Sequence, residues 1–165
     1  MIPAGTPDTT EAYLRHCYVA PRSTVGLVLF EPYAPEVAAA IDDYLYAIDH
    51  LHQTCQSHQA QLVFAYDPCF PQIYDPKASL KIRNLLEKAC RDLAIPFLDL
   101  TPALRLAGQR EKLHLLPRDF HYNAAGYRVI AEALAGVLPS LAGLPLQRRP
   151  PREGTRRRAF PVEKP

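Results

Sequence analysis

Two stretches decide the fold: Gln61-Leu62-Val63-Phe64-Ala65-Tyr66, closed by Asp67-Pro68, and Pro96-Phe97-Leu98-Asp99-Leu100. Each is a short apolar run of strand length, and a proline stops the first and opens a loop that runs to Tyr74. Between them Asp75-Pro76 supplies a cap and first-turn pair, and apolar residues at 78, 82, 85, 86, 89 and 93 recur at helical spacing. Strand, helix, strand is the parallel crossover unit, and a parallel sheet needs helices over its faces.

Working outward, Pro35 to about Gln56 carries apolar residues at 37, 41, 44, 45, 48, 51 and 55, which predicts a long amphipathic helix with Pro35 in its first turn. Upstream, Val25-Gly26-Leu27-Val28-Leu29-Phe30 reads as a strand buried on both faces, with a helical turn as the alternative. Downstream, Thr101-Pro102 repeats the capping signature for a short helix to about Leu106, stopped by Gly108. The last helix is expected from Ala124 to Leu138, capped by Asn123, with Tyr127, Ile130, Ala131, Leu134 and Leu138 on one face. Alternating β and α units imply an open parallel sheet, with strands near 25–30, 61–66 and 96–100, sandwiched by helices in three α/β/α layers. The expected organisation is an irregular lead-in over 1–22, one domain over 23–140 and a basic Pro/Arg-rich disordered tail over 141–165.

Composition bounds the function. The chain has 165 residues, 48% of them hydrophobic, enough for one core and too little for two. Residues 148–165 hold six arginines and Lys164 against Glu153 and Glu163, a net +5 that leaves the rest at −3 within a total of +2. A mildly acidic body argues against a nucleic-acid-binding domain, and the tail is expected to be solvated. No apolar run spans a bilayer and Met1–Pro7 lacks the regions of a signal peptide, so a cytoplasmic chain with no membrane contact is expected. Cys17, Cys55, Cys69 and Cys90 form no close pair and read as reduced, Cys55 and Cys90 as small core residues.

In open α/β sheets ligands bind beyond the carboxyl ends of strands, which draws attention to Asp67, Asp99 and the loop with Asp119 and His121. A histidine general base presents one ring nitrogen to a nucleophile while a carboxylate holds the other, and Asp119-Phe120-His121 can place both groups in one turn. Asn123 can cap the next helix and hold that turn rigid. The run Leu113-His114-Leu115-Leu116-Pro117-Arg118-Asp119-Phe120-His121-Tyr122-Asn123-Ala124-Ala125-Gly126-Tyr127 resembles the C-terminal block of SGNH (GDSL) hydrolases, with residues 62–68 and 95–100 similar to two of that family's strands. The resemblance implies a flavodoxin-like SGNH fold in partial form, with His121 as the base that deprotonates a serine and Asp119 as its orienting partner. It implies a small-molecule ester as substrate and no cofactor or metal. The family's Gly-Asp-Ser block and oxyanion-hole blocks are not among these residues: Ser23 lacks a preceding Gly-Asp, Ser57 and Ser79 fall on expected helices, and Ser140 follows the last one. The expectation is therefore the His/Asp half of an ester hydrolase, inactive alone because triad members act as a unit.

Three rivals remain. A non-catalytic interaction module would use an exposed sheet edge to bind a complementing chain or a second copy. A metal-dependent phosphoesterase would gather Asp67, Asp99, Asp119 and His121 around a divalent ion. His50, His52, Cys55 and His58 invite a metal, but helical geometry does not converge them, and they read as surface histidines and a core cysteine.

Overall fold

The computed structural model describes residues 10–19, 29, 33–115 and 120–141. Among them are six helices and a two-stranded parallel sheet: α1 (Thr10–Val19), α2 (Pro35–Ser57), β1 (Phe64–Tyr66), α3 (Phe70–Tyr74), α4 (Lys81–Asp92), β2 (Phe97–Asp99), α5 (Thr101–Gly108) and α6 (Ala124–Leu141). The class is α/β. No described helix is long and apolar enough to cross a membrane.

The crossover reading holds in detail. Phe64 pairs with Phe97, Ala65 with Leu98 and Tyr66 with Asp99, in parallel register. Flanking bonds from Phe64 N–H to the Pro96 carbonyl (2.9 Å) and from Leu100 N–H to the Tyr66 carbonyl (3.1 Å) extend the ladder at both ends. Strand alternation then sorts the core. Phe64, Tyr66 and Phe97 join Ile48 of α2 and Leu86 and Cys90 of α4 in one cluster. Leu98 joins the other, with Leu100, Leu104, Leu113 and the Ala125, Val129, Ile130 and Ala133 face of α6. Helices therefore cover both faces of the sheet. A third cluster, Tyr13, Cys17 and Phe70, docks α1 on α3.

Several local expectations are corrected. Of the strand expected over 25–30 only Leu29 is described, and it is buried and helical rather than extended. Part of the lead-in, 10–19, is the helix α1, anchored where Tyr18 donates to Asp75 Oδ2 (2.5 Å). The loop to Tyr74 contains α3, whose Phe70, Pro71, Gln72 and Ile73 are all buried. Asp75 does not cap α4, which starts at Lys81; its carboxylate accepts the Lys77 N–H instead (2.8 Å) and closes a turn. Thr101 does not cap α5; Asp99 Oδ1 accepts the Thr101 N–H (2.9 Å). Along α2, Tyr44 and Leu51 lie about half exposed while His52 is buried, because the inward stripe runs through 41, 45, 48 and 52. In α6, Tyr127 and Ala131 face solvent, and the packed face is rotated to 125, 129, 130 and 133. The tail over 142–165 lies outside the described residues.

Two chain reversals share one device. Gln59 and Ala94 adopt left-handed conformations (φ 56° and 57°) just past α2 and α4. The next amides, Ala60 and Ile95, reach back to the carbonyls of Cys55 and Cys90, each at 2.8 Å. These are Schellman closures formed without glycine.

Candidate active site

The segment after α5 doubles back on itself. Leu115 N–H donates to the His121 carbonyl and Asn123 N–H to the Leu113 carbonyl, both at 2.9 Å, so His114 and Tyr122 face each other in an antiparallel bridge. Strand alternation turns their side chains the same way and those of Leu115 and His121 the other way. The accessibilities agree: His114 is 5% exposed, Tyr122 half-buried, and Leu115 and His121 exposed. The histidine singled out for chemistry thus stands outward because its neighbour packs inward.

Three ties fix this hairpin. Asn123 is the predicted cap: its Oδ1 accepts the Gly126 N–H (3.0 Å), while its Nδ2 donates to the Lys112 carbonyl (2.7 Å) and bridges the two arms. Tyr122 donates to Asp67 Oδ1 (2.7 Å), tethering the hairpin to the residue that follows β1. Gly126 sits so close to the other arm that a Cβ there would lie 2.5 Å from the Leu113 carbonyl oxygen and 2.6 Å from Tyr122 Cδ1. The Asp67 carboxyl is raised above its ordinary range because its surroundings exclude water, against the lowering effect of the Tyr122 bond. The Tyr122 phenol is driven up by burial and by the adjoining carboxylate.

Beneath the hairpin lies an aromatic nest. The His114 ring sits 4.6 Å from the Tyr122 ring, 5.0 Å from Phe70 and 5.6 Å from Tyr74. Phe120, the residue before His121, makes edge contacts with Tyr13 and Phe70, both at 5.5 Å. The N-terminal helix α1 therefore braces the loop through Tyr13.

The floor is organised by Gln72, 1% exposed. Its Oε1 accepts from the Tyr66 hydroxyl (2.7 Å) and the Cys69 N–H (3.0 Å), its Nε2 donates to the Ser79 carbonyl (2.8 Å), and its own carbonyl accepts Arg105 Nε (2.7 Å). Burial carries the Tyr66 phenol up to about 12 despite the Gln72 bond. A buried glutamine with its amide satisfied at both ends is structural. Sequence reasoning passed over Gln72, Tyr122 and His114, since nothing in spacing marks a polar residue that the chain reversal will bury.

Of the candidate residues, His121 and Asp67 are brought to the hairpin and its tether. Asp99 is engaged elsewhere: Arg83 Nε donates to its Oδ2 (3.0 Å) while Arg83 Nη1 donates to Glu87 (2.6 Å), and the other Asp99 oxygen accepts the Thr101 amide. Asp119 and Ser23 lie outside the described residues. Ser57 ends α2, Ser140 lies within α6 bonded to the Val137 carbonyl (2.7 Å), and Ser79 sits in the irregular segment before α4 rather than in the expected helix. Among the described residues no three His, Cys, Asp or Glu side chains converge as a metal site. The chain matches no family model, no curated protein and no solved structure.

Proposed function

We propose that this chain supplies the base half of a serine ester hydrolase of SGNH type, with His121 as general base and Asp119 as its orienting carboxylate. The observation that carries the reading is the hairpin itself. An exposed histidine stands on a hairpin tied by Asn123, Tyr122 and Gly126, and Tyr122 anchors that hairpin to Asp67 at the carboxyl end of a parallel strand. A base must be held in one place to be useful, and that end of an open α/β sheet is where ligands bind. His121 would take the proton from a serine hydroxyl as it attacks an ester carbonyl and return it to the leaving alcohol, with Asp119 stabilising the imidazolium between those steps. The flavodoxin-like arrangement belongs to the same proposal, supported by the parallel crossover and by helices on both sheet faces.

No Gly-Asp-Ser block occurs in the 165 residues, so the serine has to come from another segment. The test is aryl-ester turnover and fluorophosphonate labelling, measured on the chain alone and on the chain joined to a Gly-Asp-Ser-bearing segment. No labelling is expected alone; labelling with turnover is expected on joining, and both should vanish in His121→Ala. Joined-chain turnover that survives both His121→Ala and Asp119→Ala would overturn the assignment. A second reading, a non-catalytic module that docks a complementing chain or a second copy, is favoured by the half-exposed Tyr44 and Leu51 on α2 and by a sheet of only two strands among the described residues. Binding without turnover in the same joining experiment would support it.

A further inference from the structure

His114 does nothing in the proposed chemistry, yet among the described residues it is the best-enclosed titratable group of the hairpin. Its Nδ1 lies 3.1 Å from the Tyr74 hydroxyl. That hydroxyl oxygen already accepts the Leu113 N–H (3.2 Å), so its own proton is available to the imidazole. A ring that accepts at Nδ1 is neutral and carries its proton on Nε2. Asn123 Nδ2 also approaches the His114 carbonyl at 3.5 Å, so backbone and ring are held together.

We propose that His114 is an acid-sensitive latch: neutral, it locks the hairpin arms 113–115 and 120–123 onto α3 through Tyr74; protonated, it releases the arm that carries His121. The mechanism is local. A proton on Nδ1 removes the acceptor for the Tyr74 hydroxyl and leaves an imidazolium inside a nest with no carboxylate against the ring among the described residues. The latch depends on the hairpin's geometry and not on the ester-hydrolase reading.

The sign follows from burial, which lowers the imidazole from its ordinary 6.5 to about 4 in the folded loop. The closed form therefore binds the proton more weakly than the open form, and acid favours opening. The stabilisation is complete above about 6.5 and is lost progressively toward 4 as protons bind the open loop. Other groups do not mimic this. Tyr74 from α3 and Tyr122 from the returning arm face the ring and stay neutral, their phenols both raised by burial. Asp67, one hydrogen bond further at the end of β1, is raised in the closed form, so its protonation favours closure and opposes the latch.

The experiment is amide hydrogen exchange by NMR on the full chain from pH 7 to 4, corrected for intrinsic rates. The Leu115 and Asn123 amides report the hairpin, and the Leu100 amide reports the β1–β2 ladder. The hairpin opening constant should rise toward about 10-fold per pH unit below 6.5, roughly 100-fold between pH 7 and 4, while Leu100 stays protected. In His114→Gln, which accepts from Tyr74 but does not titrate, the slope should disappear; in Asp67→Asn it should persist. A slope unchanged in His114→Gln, or Leu100 opening in parallel with the hairpin, overturns the latch. If His114→Gln does not fold, the wild-type His114 13Cε1 shift decides: titration near 6.5 with both hairpin amides still protected also overturns it.

Discussion

Gly126 and Ala94 show how single positions can be right or wrong for their backbone. At Gly126 a methyl group would press on the Leu113 carbonyl, a backbone atom that can yield only if the hairpin shifts. Gly126→Ala should destabilise by about 2 kcal/mol in urea unfolding, the usual cost of overpacking a fixed site, even though alanine is the better helix former. Ala94 is the reverse case. Its φ of 57° places Cβ against the following carbonyl, so Ala94→Gly should raise stability by about 1 kcal/mol in the same assay. A Gly126→Ala variant as stable as wild type would mean the close approach is not maintained in solution.

At the scale of elements, the hairpin and α6 form one unit because Asn123 serves both. Its Oδ1 caps the helix and its amide ties the opposite arm, so Asn123→Ala should cost about 1–2 kcal/mol, toward the upper end for a lost cap. Tyr122→Phe removes the tether to Asp67, with its longer 3.5 Å approach to the Pro68 carbonyl, and keeps the ring against His114 and Tyr127. It should cost about 1 kcal/mol, as expected for one partly solvated bond. Its distinguishing readout is the Asp67 carboxyl: losing the donor that lowers it should move its NMR titration further up. A titration that moves down or stays put would show that the tether does not hold in solution. Arg83 binds elements in a similar way, linking α4 to β2 through Asp99 while lying over the Phe97 ring at 5.4 Å.

For the whole molecule, the cysteines test where the core lies. All four are free: Cys17 and Cys90 are buried, and Cys55 and Cys69 lie at intermediate depth. Burial raises the Cys17 thiol and pushes Cys69 and Cys90 up to about 11, so little thiolate forms near neutrality. Thiol titration with a chromogenic disulfide should find Cys55 first to react and Cys17 and Cys90 last, with all four reacting after denaturation and no change on prior reduction. Rapid reaction of Cys90 in native buffer would place it outside the cluster it shares with Ile48 and Leu86.

The sequence by itself determined the parallel crossover, the long helix from Pro35, the cap at Asn123 and the reduced cysteines. Each rests on local periods, proline punctuation or composition, which a linear chain carries in full. It also pointed to His121 through the spacing around a helix start. Tertiary structure alone decided which face of α6 packs, that His52 turns inward, that Asp99 is held by Arg83, and that Gln72 organises the floor. A helix with small residues on several faces leaves its rotation to whatever it meets. Buried polar groups are selected by partners that lie about forty positions away in the chain, as Tyr74 and His114 do. The exposure of His121 belongs to that second class, because it follows from His114 and Tyr122 taking the inward side of the hairpin.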